Sequence, residues 1–83
     1  MPTYMDIHHV EGGVSLEDVA QAHAADLSTQ AKHGVDYVRY WVDEGEGTIF
    51  CLVDAPSAEA AEAVHREAHG LVADRIIPVQ EGA

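Results

Sequence analysis

Between Thr48 and Asp54 the chain reads Thr-Ile-Phe-Cys-Leu-Val-Asp, and both of its alternating rows are apolar. In a strand, Ile49, Cys51 and Val53 point one way, and Phe50 and Leu52 point the other. A strand with two apolar faces belongs in a sheet that is covered on both sides. This constrains the fold strongly, because a chain of 83 residues has few elements with which to cover a sheet.

The other segments supply three strands and two helices. Thr3 to Val10 alternates, with Tyr4, Asp6 and His8 in one row and Met5, Ile7 and His9 in the other; Glu11-Gly12-Gly13 breaks the run. Ser15 is suited to cap a helix, with Asp18 at the third helical position as a weaker form of the capping box. Leu16, Val19, Ala20, His23, Leu27 and Ala31 follow helical spacing and predict a buried stripe on a helix running to about His33, with Gly34 as its stop. Val35 to Asp43 reads as a strand, with Tyr37, Arg39 and Trp41 expected on one face and Tyr40 on the other. Glu44-Gly45-Glu46-Gly47 forms a hairpin turn into the doubly apolar strand. Ser57 caps a second helix from Ala58 to about His69, ended by Gly70. Arg75 to Gln80 gives a short last strand, which Pro78 assigns to an edge.

The order βαββαβ over residues 1–83 predicts a single α+β domain of ferredoxin-like form: a four-stranded antiparallel sheet with two helices on one face. The helices leave the second face bare. A second copy of the chain is the simplest cover, so a two-fold homodimer packed through the open sheet face is expected. Burying roughly 600–800 Å² per subunit, at about 25 cal/mol per Å², gives gross stabilisation on the order of 15–20 kcal/mol before association costs. With one cysteine, Cys51, no intrachain disulfide is available, which leaves oligomerisation and metal binding as aids to so small a domain.

Fifteen acidic residues stand against four basic ones, a formal charge of −11. Such a surface repels nucleic acid and anionic membranes and attracts cations. A hydrophobic content of 47% is that of a folded protein, so the acidity does not signal disorder. No run of 18 apolar residues and no export signal is present, and with a lone thiol a reducing cytoplasm is the expected location.

Six residues are histidine, and their placement is more informative than their number. His65 and His69 are four apart on the second helix, a spacing that lets two imidazoles reach one metal ion. The same spacing also suits two surface histidines near a helix C-terminus, where positive charge is favoured. Arg66 occupies the position that a metalloprotease HExxH motif gives to glutamate. His23 lies within the first helix's stripe, where a hydrogen-bonded core histidine is the commoner outcome, and Asp26 follows at i+3 as a possible oxygen donor or a solvated carboxylate. Asp6 and His8 share one face of a central strand, roughly 6.5–7 Å apart along it. There they are costly unless paired with each other, paired with Arg39, or ligated. His9 points the other way, towards the expected subunit contact, and His33 is ordinary. Cys51 reads as an inert buried thiol, with no CxxC motif to suggest redox work. Nitrogen and carboxylate donors without a committed thiolate suit nickel, zinc, cobalt or copper, with binding that weakens below about pH 6.5.

Five segments together resemble a known family: Tyr4-Met5-Asp6-Ile7-His8, Ala22-His23-Ala24-Ala25-Asp26-Leu27, Tyr40-Trp41-Val42-Asp43, Phe50-Cys51-Leu52-Val53-Asp54-Ala55-Pro56 and Ala63-Val64-His65-Arg66-Glu67-Ala68-His69-Gly70. They are similar to the nickel-responsive, nickel-binding ferredoxin-like domains of bacteria, over nearly the whole chain. The resemblance implies a ferredoxin-like dimer and nickel binding through histidine and carboxylate ligands, with Asp6, His8, His23, Asp26, His65 and His69 at the matching positions. Two functions from different classes follow. The first is a homodimeric nickel-binding buffer or sensor. The second is a small dimeric enzyme, monooxygenase- or isomerase-like, with Asp6, His8, His23 and His65 as acid–base residues in a cavity between helices and sheet.

Overall fold

The computed structural model describes residues 1–83. Strands β1 (Thr3–His9), β2 (Asp36–Asp43), β3 (Thr48–Asp54) and β4 (Arg75–Pro78) form one antiparallel sheet in the order β2-β3-β1-β4. Helices α1 (Leu16–Thr29) and α2 (Ala58–Ala68) pack on one of its faces, where Val19, Ala61 and Val64 meet Ile49, Cys51 and Val53 in the core. The arrangement is α+β and compatible with a ferredoxin-like fold. β1 lies between β3 and β4, as expected for the central strand, and β4 ends at Pro78 on the sheet edge. No helix is long and apolar enough to cross a membrane.

Local sequence sets the helix ends. Ser15 Oγ accepts from Asp18 N at 3.0 Å, and Ser57 Oγ accepts from Ala60 N at 3.1 Å, each satisfying a donor that a helix start leaves free. α1 passes into a 3₁₀ turn over Gln30–His33 before Gly34. α2 ends where Gly70, at φ +80°, lets its N–H turn back to His65 O at 2.8 Å. That turn places His69, the residue that caps the helix just past Ala68, beside the core.

Two expectations require correction. The α1 stripe is turned from the predicted one. Val19 and Asp26 are its buried residues, with Ala22 and His23 partly covered, while Leu16 is 54% and Leu27 47% exposed. The helix is rotated by what its partners need: Asp26 accepts hydrogen bonds from α2, and a carboxylate so engaged is held inward more firmly than a leucine. The second correction concerns β2. A β-bulge between Tyr37 and Arg39 shifts the register, so that Tyr37 pairs with Val53, Tyr40 with Cys51 and Val42 with Ile49. Tyr37 and Tyr40 therefore share the helix-covered face, while Arg39 and Trp41, opposite Leu52 and Phe50, lie on the other. The cause is local: Gln30 Oε1, from the 3₁₀ turn, takes the Tyr37 N–H at 2.8 Å. The extra residue re-aims the side chains beyond it.

The uncovered face carries Trp41, 47% exposed, Phe50, 36% exposed, and Val38, with Met5, Ile7 and Leu52 partly covered between them. The two-sided apolar character of β3 is thus real, and the helices satisfy one side of it.

Candidate metal centre

The helix-covered face of β1 presents Asp6 and His8, and α2 lowers His65 onto them. All three are buried. His8 Nε2 donates to Asp6 Oδ1 at 3.0 Å, and His65 Nε2 donates to Asp6 Oδ2 at 2.9 Å. The Tyr37 hydroxyl, carried inward by the bulge, donates to Asp6 Oδ2 at 2.7 Å and lies 3.1 Å from Ala61 O. From the other side, Asp26 Oδ1 accepts from His65 Nδ1 at 2.9 Å and from His69 Nε2 at 3.0 Å. His69 Nδ1 in turn accepts from Leu71 N at 3.1 Å, which fixes its tautomer with the proton on Nε2. The Asp6–Arg39 pair considered from sequence is absent because Arg39 is on the opposite face.

The electrostatics follow from these contacts. Burial pushes the Asp6 carboxyl up, but hydrogen bonds from His65, His8 and Tyr37 and the positive charge of His65 outweigh it, leaving Asp6 well below the usual carboxylate range. Burial disfavours a charge on His65, yet its two carboxylate partners prevail and raise its pKa to about 9. At neutral pH, His65 is therefore an imidazolium clamped between Asp6 and Asp26. Burial and the neighbouring Asp6 push the Tyr37 hydroxyl and the Cys51 thiol above their ordinary values, so both stay neutral. His69 is lowered, first by burial, then by the charge of His65, against the pull of Asp26. The cluster thus sets the ionised Asp6 against the protonated His65 in a buried site, with Asp26 on the second ring nitrogen.

The donor atoms converge. One donor atom from each of Asp6, His8, Cys51 and His65, all buried, lies within 4.8 Å of the others, and Asp26, His65 and His69 form a second such group sharing His65. Five of the six residues singled out from sequence are in these groups. The sixth, His23, lies along the same pocket but packs its ring against Tyr40, centroids 4.8 Å apart, and joins neither group. Two participants were not foreseen. Cys51 was read as inert; it is the cross-strand partner of Asp6 in the β1–β3 register, a signal that becomes visible once the two strands are aligned. Tyr37 was expected to share a face with Arg39 and Trp41, and only the bulge separates it from them. His9 is exposed at the end of β1, and His33 Nε2 donates to Glu67 Oε2 at the surface. Imidazole, carboxylate and thiolate are donors that nickel, zinc, cobalt and copper accept, so the residues gathered here fit such an ion.

Fold and cluster together define a small α+β protein with a buried histidine–carboxylate centre able to accept a metal ion. The chain belongs to the SCO4226-like family of nickel responsive proteins, whose family model matches residues 4–79. It is similar to SCO4226 from Streptomyces coelicolor A3(2), known from a crystal structure: the two are 40% identical, with a TM-score of 0.89 over 98% of this chain and 99% of that one. No curated protein matches it.

Proposed function

We propose that this protein binds a divalent transition metal, nickel by the name of its family, and serves as a homodimeric buffer or sensor of that ion in the cytoplasm. The observation that carries the reading is the buried donor group of Asp6, His8, Cys51 and His65, with Asp26 and His69 adjoining through His65. Buried carboxylates are costly, and here two of them enclose a protonated imidazole. A divalent ion would take the place of that proton, with His65 and its neighbours as ligands and Asp26 free to orient an imidazole from behind. The dimer is supported by the apolar sheet face around Trp41, Phe50 and Leu52, which the helices do not reach.

The test is a thermal-shift measurement on protein made without a histidine tag and stripped of metal. Micromolar nickel should raise the melting temperature, His65→Ala should abolish most of that gain, and elemental analysis of untagged protein should find the metal. The absence of a shift with nickel, zinc, cobalt or copper would overturn the reading. The enzymatic alternative has one observation in its favour: a pocket with apolar walls adjoins His8 and the strongly shifted His65. It requires turnover of a small organic substrate that persists in metal-free protein and is lost in His8→Ala.

A further inference from the structure

Three of the chain's four leucines are exposed: Leu16 by 54%, Leu27 by 47% and Leu71 by 43%. Leu16, His23 and Leu27 are spaced seven and four residues apart along α1, so they share one of its faces. His23 and Leu71 also line a half-open pocket of about 110 Å³ between α1, the sheet and the loop that follows α2, with Val14, Ala22 and Ile49 among its walls. The leucines and the pocket thus make one apolar surface on the helix side of the molecule, away from the open sheet face. Its border is acidic. Glu17, Asp18 and Glu44 are exposed there, with Asp18 on the pocket wall and Glu44 Oε2 accepting from Leu16 N at 2.7 Å. None of the four cations answers them. Lys32 is paired with Glu67 and Arg66 with Glu62, Arg39 is on the open sheet face, and Arg75 is in the edge strand β4.

An apolar surface edged by charge has the form of a protein contact, and a pocket at its centre is where an anchoring side chain goes. An enclosed apolar cavity of about 150 Å³ holds benzene; at about 110 Å³ this pocket takes a leucine-sized side chain, and its open mouth leaves room for the backbone that carries it. The border selects the partner by charge. Three unpaired carboxylates on a chain of formal charge −11 repel an anionic partner, and a second copy of the chain would double the unpaired acids at the contact. We propose that this face of α1 and its pocket dock a cationic segment of another protein, which inserts one branched aliphatic side chain into the pocket and sets lysines or arginines against Glu17, Asp18 and Glu44. The surface takes no part in the open sheet face, and its use does not depend on the metal reading.

The probe is a short lysine–alanine peptide with one central leucine, titrated into ¹⁵N-labelled, chelator-treated full chain and followed in amide ¹H–¹⁵N spectra. The same peptide with alanine for the leucine, and with glutamates for the lysines, are the comparators. The leucine peptide should shift the amides of Val14, Ala22 and Leu71 saturably and bind at least about fivefold more tightly than the alanine peptide, and the glutamate peptide should not bind. Leu71→Ser, at an exposed site, should weaken the leucine peptide at least about threefold. Asp18→Lys keeps the backbone N–H that Ser15 caps and should weaken both lysine peptides at least about threefold. Glu81→Lys, the same charge change beside Trp41 on the open sheet face, should leave affinity within about twofold. No saturable shift, equal binding of the leucine and alanine peptides, or equal losses in Asp18→Lys and Glu81→Lys would each overturn the proposal. So would self-association that weakens in Leu71→Ser, which would assign the surface to a second copy. Nickel is left out of every arm, so failure to bind nickel and failure to bind the peptide are separate results.

Discussion

His65 and Asp6 meet at 2.9 Å, Nε2 to Oδ2, and Asp26 closes on the opposite ring nitrogen of His65 at the same distance, with all three side chains buried. An imidazole held at both nitrogens by carboxylates keeps both its protons. The pair unites β1 and α2 across 59 residues of chain, and it is at once a structural clamp and the point where a metal ion would compete with a proton.

The clamp predicts how metal-free protein responds to pH. The pKa of His65 is raised from 6.5 to about 9, so its contribution is fully present below about pH 6.5 and is lost as pH rises through 9. Asp6 is shifted the opposite way; its contribution is present above the usual carboxylate range and is lost only in acid. Urea unfolding between pH 6 and pH 10 should therefore show stability falling on the order of 3 kcal/mol on the alkaline side. His65→Gln, which cannot carry the charge, should be less stable at pH 6 and nearly flat up to about pH 8.5, the remaining decline toward pH 10 belonging to Cys51 and Tyr37, which the fold keeps protonated; an equally steep decline in the variant below about pH 8.5 would contradict the assignment.

Ion uptake should release protons. At pH 7, His65 gives up one and the neutral Cys51 thiol another, so nickel binding should liberate about two protons per ion. Affinity should fall about a hundredfold for each pH unit below about 8, two protons being displaced per ion. Calorimetry in buffers of different ionisation enthalpy measures the count. Cys51→Ser should reduce it to about one, whereas an unchanged count would remove the thiol from the ligand set.

Tyr37→Phe separates support from ligation. It deletes the hydroxyl that donates to Asp6 and leaves the ring in the core. The cost should be about 1–3 kcal/mol, because a buried carboxylate loses one of its three donors. The nickel-induced rise in melting temperature should survive, because Tyr37 is outside the donor groups. Denaturant midpoints with and without metal read both effects.

Trp41→Asp tests the open sheet face. Trp41 contributes nothing to the helix-covered core, so the monomer should fold, while the open sheet face gains a charge at its most exposed aromatic. Sedimentation velocity should show self-association weakened at least about a hundredfold. A wild-type chain that remains monomeric at high micromolar concentration would exclude a dimer through this face.

The elements were legible because their signals are local. Ser15 and Ser57 cap the helices they were expected to cap, β3 runs from Thr48 to Asp54 as its alternation requires, and Pro78 closes an edge strand. The errors lie where a distant partner decides. Helical spacing alone favoured Leu16 and Leu27 for the inner face of α1, but two histidines some 40 residues away hold Asp26 there instead. Alternation placed Tyr37 with Arg39, and a single inserted residue at the bulge separated them.

The candidate site divides along the same line. Sequence by itself determined that Asp6 and His8 share a face of the central strand and that His65 and His69 share a face of α2, because strand and helix periods are fixed by backbone geometry. Which face of the sheet received Asp6 and His8 was decided only by the tertiary structure. A period of two makes both faces equivalent until a helix covers one of them. Once α2 covers the face of Asp6, the cost of burying that carboxylate is met by His8, His65 and Tyr37, three donors drawn from β1, α2 and β2.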